Sequence, residues 1–252
     1  MNVLLAANLG RMSPSKSMLV VTQVAPYGDE GPHQTGPAGV HGVLPQAATA
    51  LAQLATIEGL VPRIVEDVTT LRVEDLDSTR ILCLFTIGET PFSAAQRAII
   101  ESSWLSGELA ILAVHSASDA CYGWPAYQRL LGARFDGHPW TQTFSIDVDS
   151  DHPATAELGP RWLWRDEIYL FGDVRPDARV LLRVSEEQLD LSVPDARVPD
   201  WGVPLAWCFD EAGGRTFYSS LGHFPEAWER PDHLRYLAGA LRWLLGGQSD
   251  GH

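Results

Sequence analysis

Short apolar runs alternate with stretches of helical spacing through the first half of the chain, and aromatic and Pro-containing segments interrupt the second half. Met18-Leu-Val-Val-Thr22 is rich in β-branched residues and bounded by polar segments, so it predicts a buried first strand. From about Ala38 to Glu58, apolar residues fall at helical spacing (Val40, Val43, Leu44, Ala47, Leu51, Leu54), and Pro62-Arg-Ile-Val-Glu66 predicts the next strand. Arg80–Phe85 and Leu109–Val114 predict two more strands, with a helix between them that Ser93 can cap and that reaches about Ser106. Such alternation implies a parallel sheet with helices on both faces.

The region from His138 to Tyr169 is less regular. Beyond it, Arg179–Val184 predicts a strand, and Pro204–Phe209 with Arg215–Ser220 predicts a hairpin around Asp210-Glu-Ala-Gly-Gly214, whose glycines permit positive φ. A helix from about Asp232 to Leu245 closes the pattern. No repeat, linker or low-complexity tract interrupts it, so the expectation is one domain over residues 1–252: an extension at 1–16 and a core at about 17–246. The fold class expected is α/β, a flavodoxin-like doubly wound, mostly parallel sheet flanked by helices.

A length of 252 residues suits this, since single cores of roughly 200–250 residues are routine. The formal charge of −14, from 18 Lys+Arg against 32 Asp+Glu, argues against a phosphate-tracking surface and hence against nucleic acid as a partner. Cys83, Cys121 and Cys208 are widely spaced, without a C-x-x-C, which suits a reduced compartment. With no basic leader and no run of about 18 apolar residues, the sequence predicts a cytoplasmic protein without a membrane partner. No glycine-rich phosphate loop occurs, so no nucleotide cofactor is expected.

The segment that carries most chemical information is Leu112-Ala-Val-His-Ser-Ala-Ser-Asp119, an apolar strand that ends directly in His115. Ligands in open parallel sheets bind beyond the strands' carboxyl ends, which places His115 at a cleft. Downstream stand Tyr122-x-Trp-Pro-x-Tyr127, Gly137-His-Pro139, Asp151-His-Pro-Ala-Thr155, Trp164-x-Asp-Glu-x-Tyr169 and Tyr218-x-x-Leu-Gly-His223; upstream stands His33-x-Thr-x-Pro-x-Gly39. In order and spacing these islands resemble the ThuA-like (trehalose utilisation) family over about Leu19 to Leu245.

That resemblance implies a fold similar to class I glutamine amidotransferases, with His115 where those enzymes carry a catalytic Cys, and His223 similar to their late His. It implies a carbohydrate or keto-sugar substrate, and His33, His115, His138 and His223 sharing one pocket. His115, His223 and Asp119 are the candidate catalytic residues. His33, Tyr122, Trp124, Tyr127, His138, Trp164 and Glu167 are candidates for binding the substrate, the aromatics by stacking on a sugar ring. Imidazoles beside Asp119 and Glu167 could move protons next to a carbonyl, or His115, His138 and His223 could bind a divalent metal such as zinc or manganese. The partner implied is a small, sugar-like molecule; a homo-oligomer is compatible with the sequence, as are a noncatalytic ligand-binding module and a biosynthetic enzyme acting on a non-sugar metabolite.

Other readings fail on spacing. Asp147, Asp149 and Asp151 imitate the start of a calcium loop, but His152 and Leu158 stand where Gly and Glu are needed. Ser116 and Ser118 lack a G-x-S-x-G elbow, and Cys121 lies six residues past the turn position, so neither serine hydrolase nor glutaminase chemistry is expected.

Overall fold

The computed structural model describes residues 17–28 and 42–246. Its strands are β1 (Ser17–Val21), β2 (Val61–Val65), β3 (Thr79–Leu84), β4 (Ala110–Val114), β5 (Arg134–Phe135), β6 (Trp140–Val148), β7 (Arg161–Ile168), β8 (Phe171–Gly172), β9 (Arg179–Val184), β10 (Val203–Glu211) and β11 (Gly214–Ser219). The helices are α1 (Leu44–Ile57), α2 (Val73–Asp77), α3 (Ala94–Leu105), α4 (Pro125–Leu131) and α5 (Pro231–Leu244). Nine strands form one sheet in the order β2-β1-β3-β4-β11-β10-β9-β6-β7, and β5 pairs with β8 in a small ribbon.

Pairing is parallel from β2 to β11 and antiparallel from β11 to β7, so only β10 and β6 run against the rest. This is the mixed, mostly parallel α/β sheet expected. The alternation of side chains along a strand supplies both faces. In β4, Ala110, Leu112 and Val114 join the core that contains α1 and α5, while Ile111 and Ala113 join the core that contains α2, α3 and α4. Among the described residues no helix is long and apolar enough to cross a membrane.

Two local features follow from sequence directly. Ser93 caps α3 as expected: its hydroxyl accepts from Gln96 N at 3.3 Å, and Gln96 Oε1 accepts from Ser93 N at 2.7 Å. The hairpin of β10 and β11 turns at Ala212 and Gly213, both at positive φ. Three expectations need correction. Helix α1 begins at Leu44 with Pro45 in its first turn, later than Ala38. Positions 38–41 and the 1–16 extension lie outside the described residues. The irregular 138–169 region holds the long antiparallel pair β6 and β7. Neither α2 nor α4 was foreseen, because helices of five and seven residues are too short to show a period.

Helix α5 crosses the loop after β6 at Gly239, where a Cβ would lie 2.5 Å from Pro153 O and 2.6 Å from Ala154 Cα. Gly239→Ala therefore sets a helix-propensity gain of about 1 kcal/mol against backbone overlap. Overlap wins: urea unfolding is expected to show a net loss of about 1–3 kcal/mol.

Candidate functional site

His115 ends β4 and carries a φ of 48°, a left-handed conformation unusual for a non-glycine residue. Held this way, the chain turns sharply into the short helical turn of residues 115–118, and the imidazole stands at the carboxyl end of a central strand. Two contacts hold the turn: Tyr218 Oη donates to His115 O at 2.8 Å, and Ser118 Oγ lies 2.8 Å from the same phenol. The His115 ring is fully buried. Its Nδ1 lies 2.7 Å from Ser220 O, and because a carbonyl only accepts, Nδ1 carries the proton. Nε2 is thereby the atom turned to the site, with Tyr169 Oη at 3.0 Å.

Glu167 arrives from the end of β7 and His223 from the loop after β11. His223 Nδ1 lies 3.2 Å from His115 Nε2 and 3.2 Å from Glu167 Oε2, and His115 Nε2 lies 3.6 Å from that same oxygen. Within the described residues this trio places its three ligand atoms within 4.8 Å of one another. His138, half-exposed at the rim, has Nδ1 3.7 Å from Glu167 Oε1. The group that could hold a metal ion among the described residues is His115, Glu167 and His223, whereas the expectation named His138, which lies behind Glu167, in place of Glu167.

Burial pushes the Glu167 carboxyl up, but the hydrogen bond to His223 and the nearby imidazoles outweigh it and hold it at about 2. The same contact works on His223, where burial lowers the imidazole and the Glu167 carboxylate more than compensates, leaving it raised. Asp166, next to Glu167, is fully buried and pushed up to about 6 by that burial. It accepts from Trp164 Nε1 at 2.9 Å, Glu167 N at 2.9 Å, Gly222 N at 2.8 Å and His223 N at 3.3 Å. Asp166 and Tyr169 were not singled out from sequence, although both belong to the Trp164–Tyr169 island; an acid beside another acid in an aromatic strand was the available signal.

The remaining candidates separate. Asp119 is not among the three ligands: its oxygens accept from Tyr27 Oη at 2.6 Å and Tyr122 Oη at 2.5 Å. Tyr122, Trp124, Tyr127 and Trp164, expected to stack on a sugar ring, are all buried. Trp124 donates to Glu101, Tyr127 to Ala117 O and Trp164 to Asp166, so each phenol or indole serves packing and position. His33 lies outside the described residues. His152 and His233, given no role, are buried in the core, where burial lowers each to about 4. The three cysteines are buried as well, and burial pushes Cys121 and Cys208 up to about 12, far from a reactive thiolate.

Residues 34–244 match a family model described as ThuA, trehalose utilisation. Among solved structures, the chain is similar to a ThuA-like protein from Bacteroides uniformis, with a TM-score of 0.70 and 21% identity over 98% of each chain. A ThuA-like protein from Parabacteroides merdae gives a TM-score of 0.64 at 14% identity, over 94% of this chain and 93% of that one. A β-galactosidase from Bacillus circulans sp. alkalophilus gives 0.52 at 13% identity, over 92% of this chain and 31% of its own. At these identities the structural likeness is one of fold. The curated proteins give no significant match.

Glu167 is what raises His223, so Glu167→Gln removes the charge while burial stays. In an NMR titration the His223 imidazole is expected to move from above 6.5 to below it. An unchanged midpoint would show that Glu167 does not set the His223 proton.

Proposed function

The chain belongs to the ThuA family, and from that premise we propose that it is an enzyme of sugar metabolism that moves a proton beside the carbonyl of a keto-sugar at the His115–Glu167–His223 site. The observation that carries the reading is the spacing of three lone-pair atoms, 3.2, 3.2 and 3.6 Å apart. Tetrahedral coordination with bonds of about 2.0–2.1 Å requires ligand atoms about 3.3 Å apart, so the trio fits a divalent cation such as zinc or manganese. Two imidazoles and one carboxylate also leave a position open, as catalytic sites need. Such a cation, when bound, polarises a carbonyl oxygen and stabilises negative charge developing there.

The chain's own groups supply the rest. Ser220 O fixes the His115 tautomer, so that Nε2 offers a lone pair. Asp166 fixes the backbone that carries His223. His138 is the half-exposed base near Glu167, placed to take a proton from the carbon next to the carbonyl and return it to a neighbouring atom. Asp119 accepts from the phenols of Tyr27 and Tyr122 and so fixes their position. Isomerisation follows if the proton returns to a different carbon, and elimination if a substituent leaves first.

A second reading rests on the Tyr169 contact: with no cation, Tyr169 Oη donates to His115 Nε2, and the same imidazoles exchange protons without metal. The two separate on loading the protein with zinc or manganese followed by gel filtration. Retention of about one ion per chain, lost in His115→Ala, Glu167→Ala and His223→Ala variants that keep their circular dichroism, supports the cation. Affinity is expected to rise with pH through the His223 titration, because its proton competes for the same lone pair. No retention, together with chelator-insensitive turnover of 3-keto-glycosides, selects proton transfer alone. Binding of those compounds without turnover would overturn the enzymatic reading, and turnover confined to non-sugar ketones would overturn the substrate class.

A further inference from the structure

A cavity of about 270 Å³ lies between α4 and the β5–β8 ribbon, lined by Pro125, Gln128, Arg129, Gly132, Arg134, Asp173 and Arg175. We propose that this groove binds a phosphate group, free or as the phosphate of a small hydroxylated metabolite, at Arg129 and Arg134. The charge distribution is the first argument. In a chain with 18 basic against 32 acidic residues, three arginines converge on one groove with a single carboxylate in its lining.

Arg175 is already neutralised, since it bonds Asp177 at 2.6 Å and Glu211 at 2.5 Å and lies 4.4 Å over the Phe209 ring. It forms a fixed wall. Neither Arg129 nor Arg134 has a carboxylate within 4.0 Å among the described residues; Arg129 is exposed and Arg134 is the one partly withdrawn from water. A guanidinium withdrawn from water without a counter-ion is costly, and an anion with several oxygens supplies the missing acceptors. Arg side chains suit that partner because their planar donor forks meet two oxygens at once.

The groove is also built in advance. Gly132 closes α4 at φ 89°, where a Cβ would overlap Phe209 and Trp207. Trp207 Nε1 donates to Leu131 O at 2.8 Å, and Arg175 N donates to Gly132 O at 2.7 Å, which ties the ribbon to the helix end. Asp173, exposed, can accept from hydroxyls on the same ligand, as Gln128 can from the helix side. None of the groove's lining residues is His115, Glu167 or His223.

The test is titration calorimetry of the full chain with inorganic phosphate, a hexose 6-phosphate and the parent hexose at constant ionic strength, so that screening does not differ between arms. Both phosphates are expected to bind and the hexose not. Arg134→Gln and Arg129→Gln, checked for unchanged unfolding midpoints, are each expected to weaken binding about tenfold or more. Arg235→Gln, at an ion pair on the opposite helix, should leave it unchanged. Equal affinity for the two phosphates identifies free phosphate as the ligand, and tighter hexose phosphate identifies the esterified form. The proposal is overturned if neither phosphate binds at millimolar concentration, or if both Arg variants bind like the wild type.

Discussion

The buried carboxylate of Asp166 holds together parts of the molecule that the sheet order keeps apart. Strand β7 is the last in the ladder and stands four places beyond β11, yet Glu167 from β7 meets His223 from the loop after β11. Asp166 ties the two together by accepting from Gly222 N and His223 N on one side and from its own strand on the other. An apolar residue at 166 would leave those N–H groups buried without acceptors, at about 1–3 kcal/mol each. The carboxylate thus serves geometry before chemistry.

Its electrostatics and those of its neighbour run in opposite directions. Asp166 is raised from 3.8 to about 6, so its share of the stability falls as pH rises between those values. Glu167 is lowered from 4.5 to about 2, so its share is present above 4.5 and is lost as pH falls toward 2. Near neutrality the two shifts act on stability in opposite directions. Adjacent acids driven apart in this way are characteristic of a site that assigns different tasks to like groups. One is a structural acceptor that burial favours protonated, and the other a carboxylate kept charged by the imidazoles around it.

What the sequence revealed followed from local regularity. The first βαβ units were legible because Met18–Val21 and Ala110–Val114 are short, continuous apolar strands flanked by helical periods, and from these His115 fell at a strand tip. The β6–β7 pair was not legible, since Thr141, Gln142 and Thr143 break the alternation in one strand and exposed Leu163 breaks it in the other. Trp164 therefore read as a ligand contact, whereas it is buried in the core. The pairing of His115 with His223, across 108 positions, was implied by family resemblance and not by spacing. The two phenols that donate to Asp119 were not legible either, since Tyr27 lies 92 positions away.

The position of Glu167 shows why a strand edge can carry chemistry that a central strand cannot. Along β7 the burial alternates through Arg161–Arg165, with Trp162 and Trp164 inward, and then Asp166, Glu167 and Ile168 are buried in succession. Within a flat ladder, consecutive side chains point to opposite faces, so two adjacent acids cannot serve one site. At the end of β7, Asp166 accepts from Gly222 N and His223 N while Glu167 meets both His115 and His223. Asp166 and Glu167 then work on the same cluster from successive positions, one through backbone N–H groups and the other through imidazoles. The central strand can supply only the residue at its tip, which is His115, and everything else in the cluster has to be brought to it by the edge.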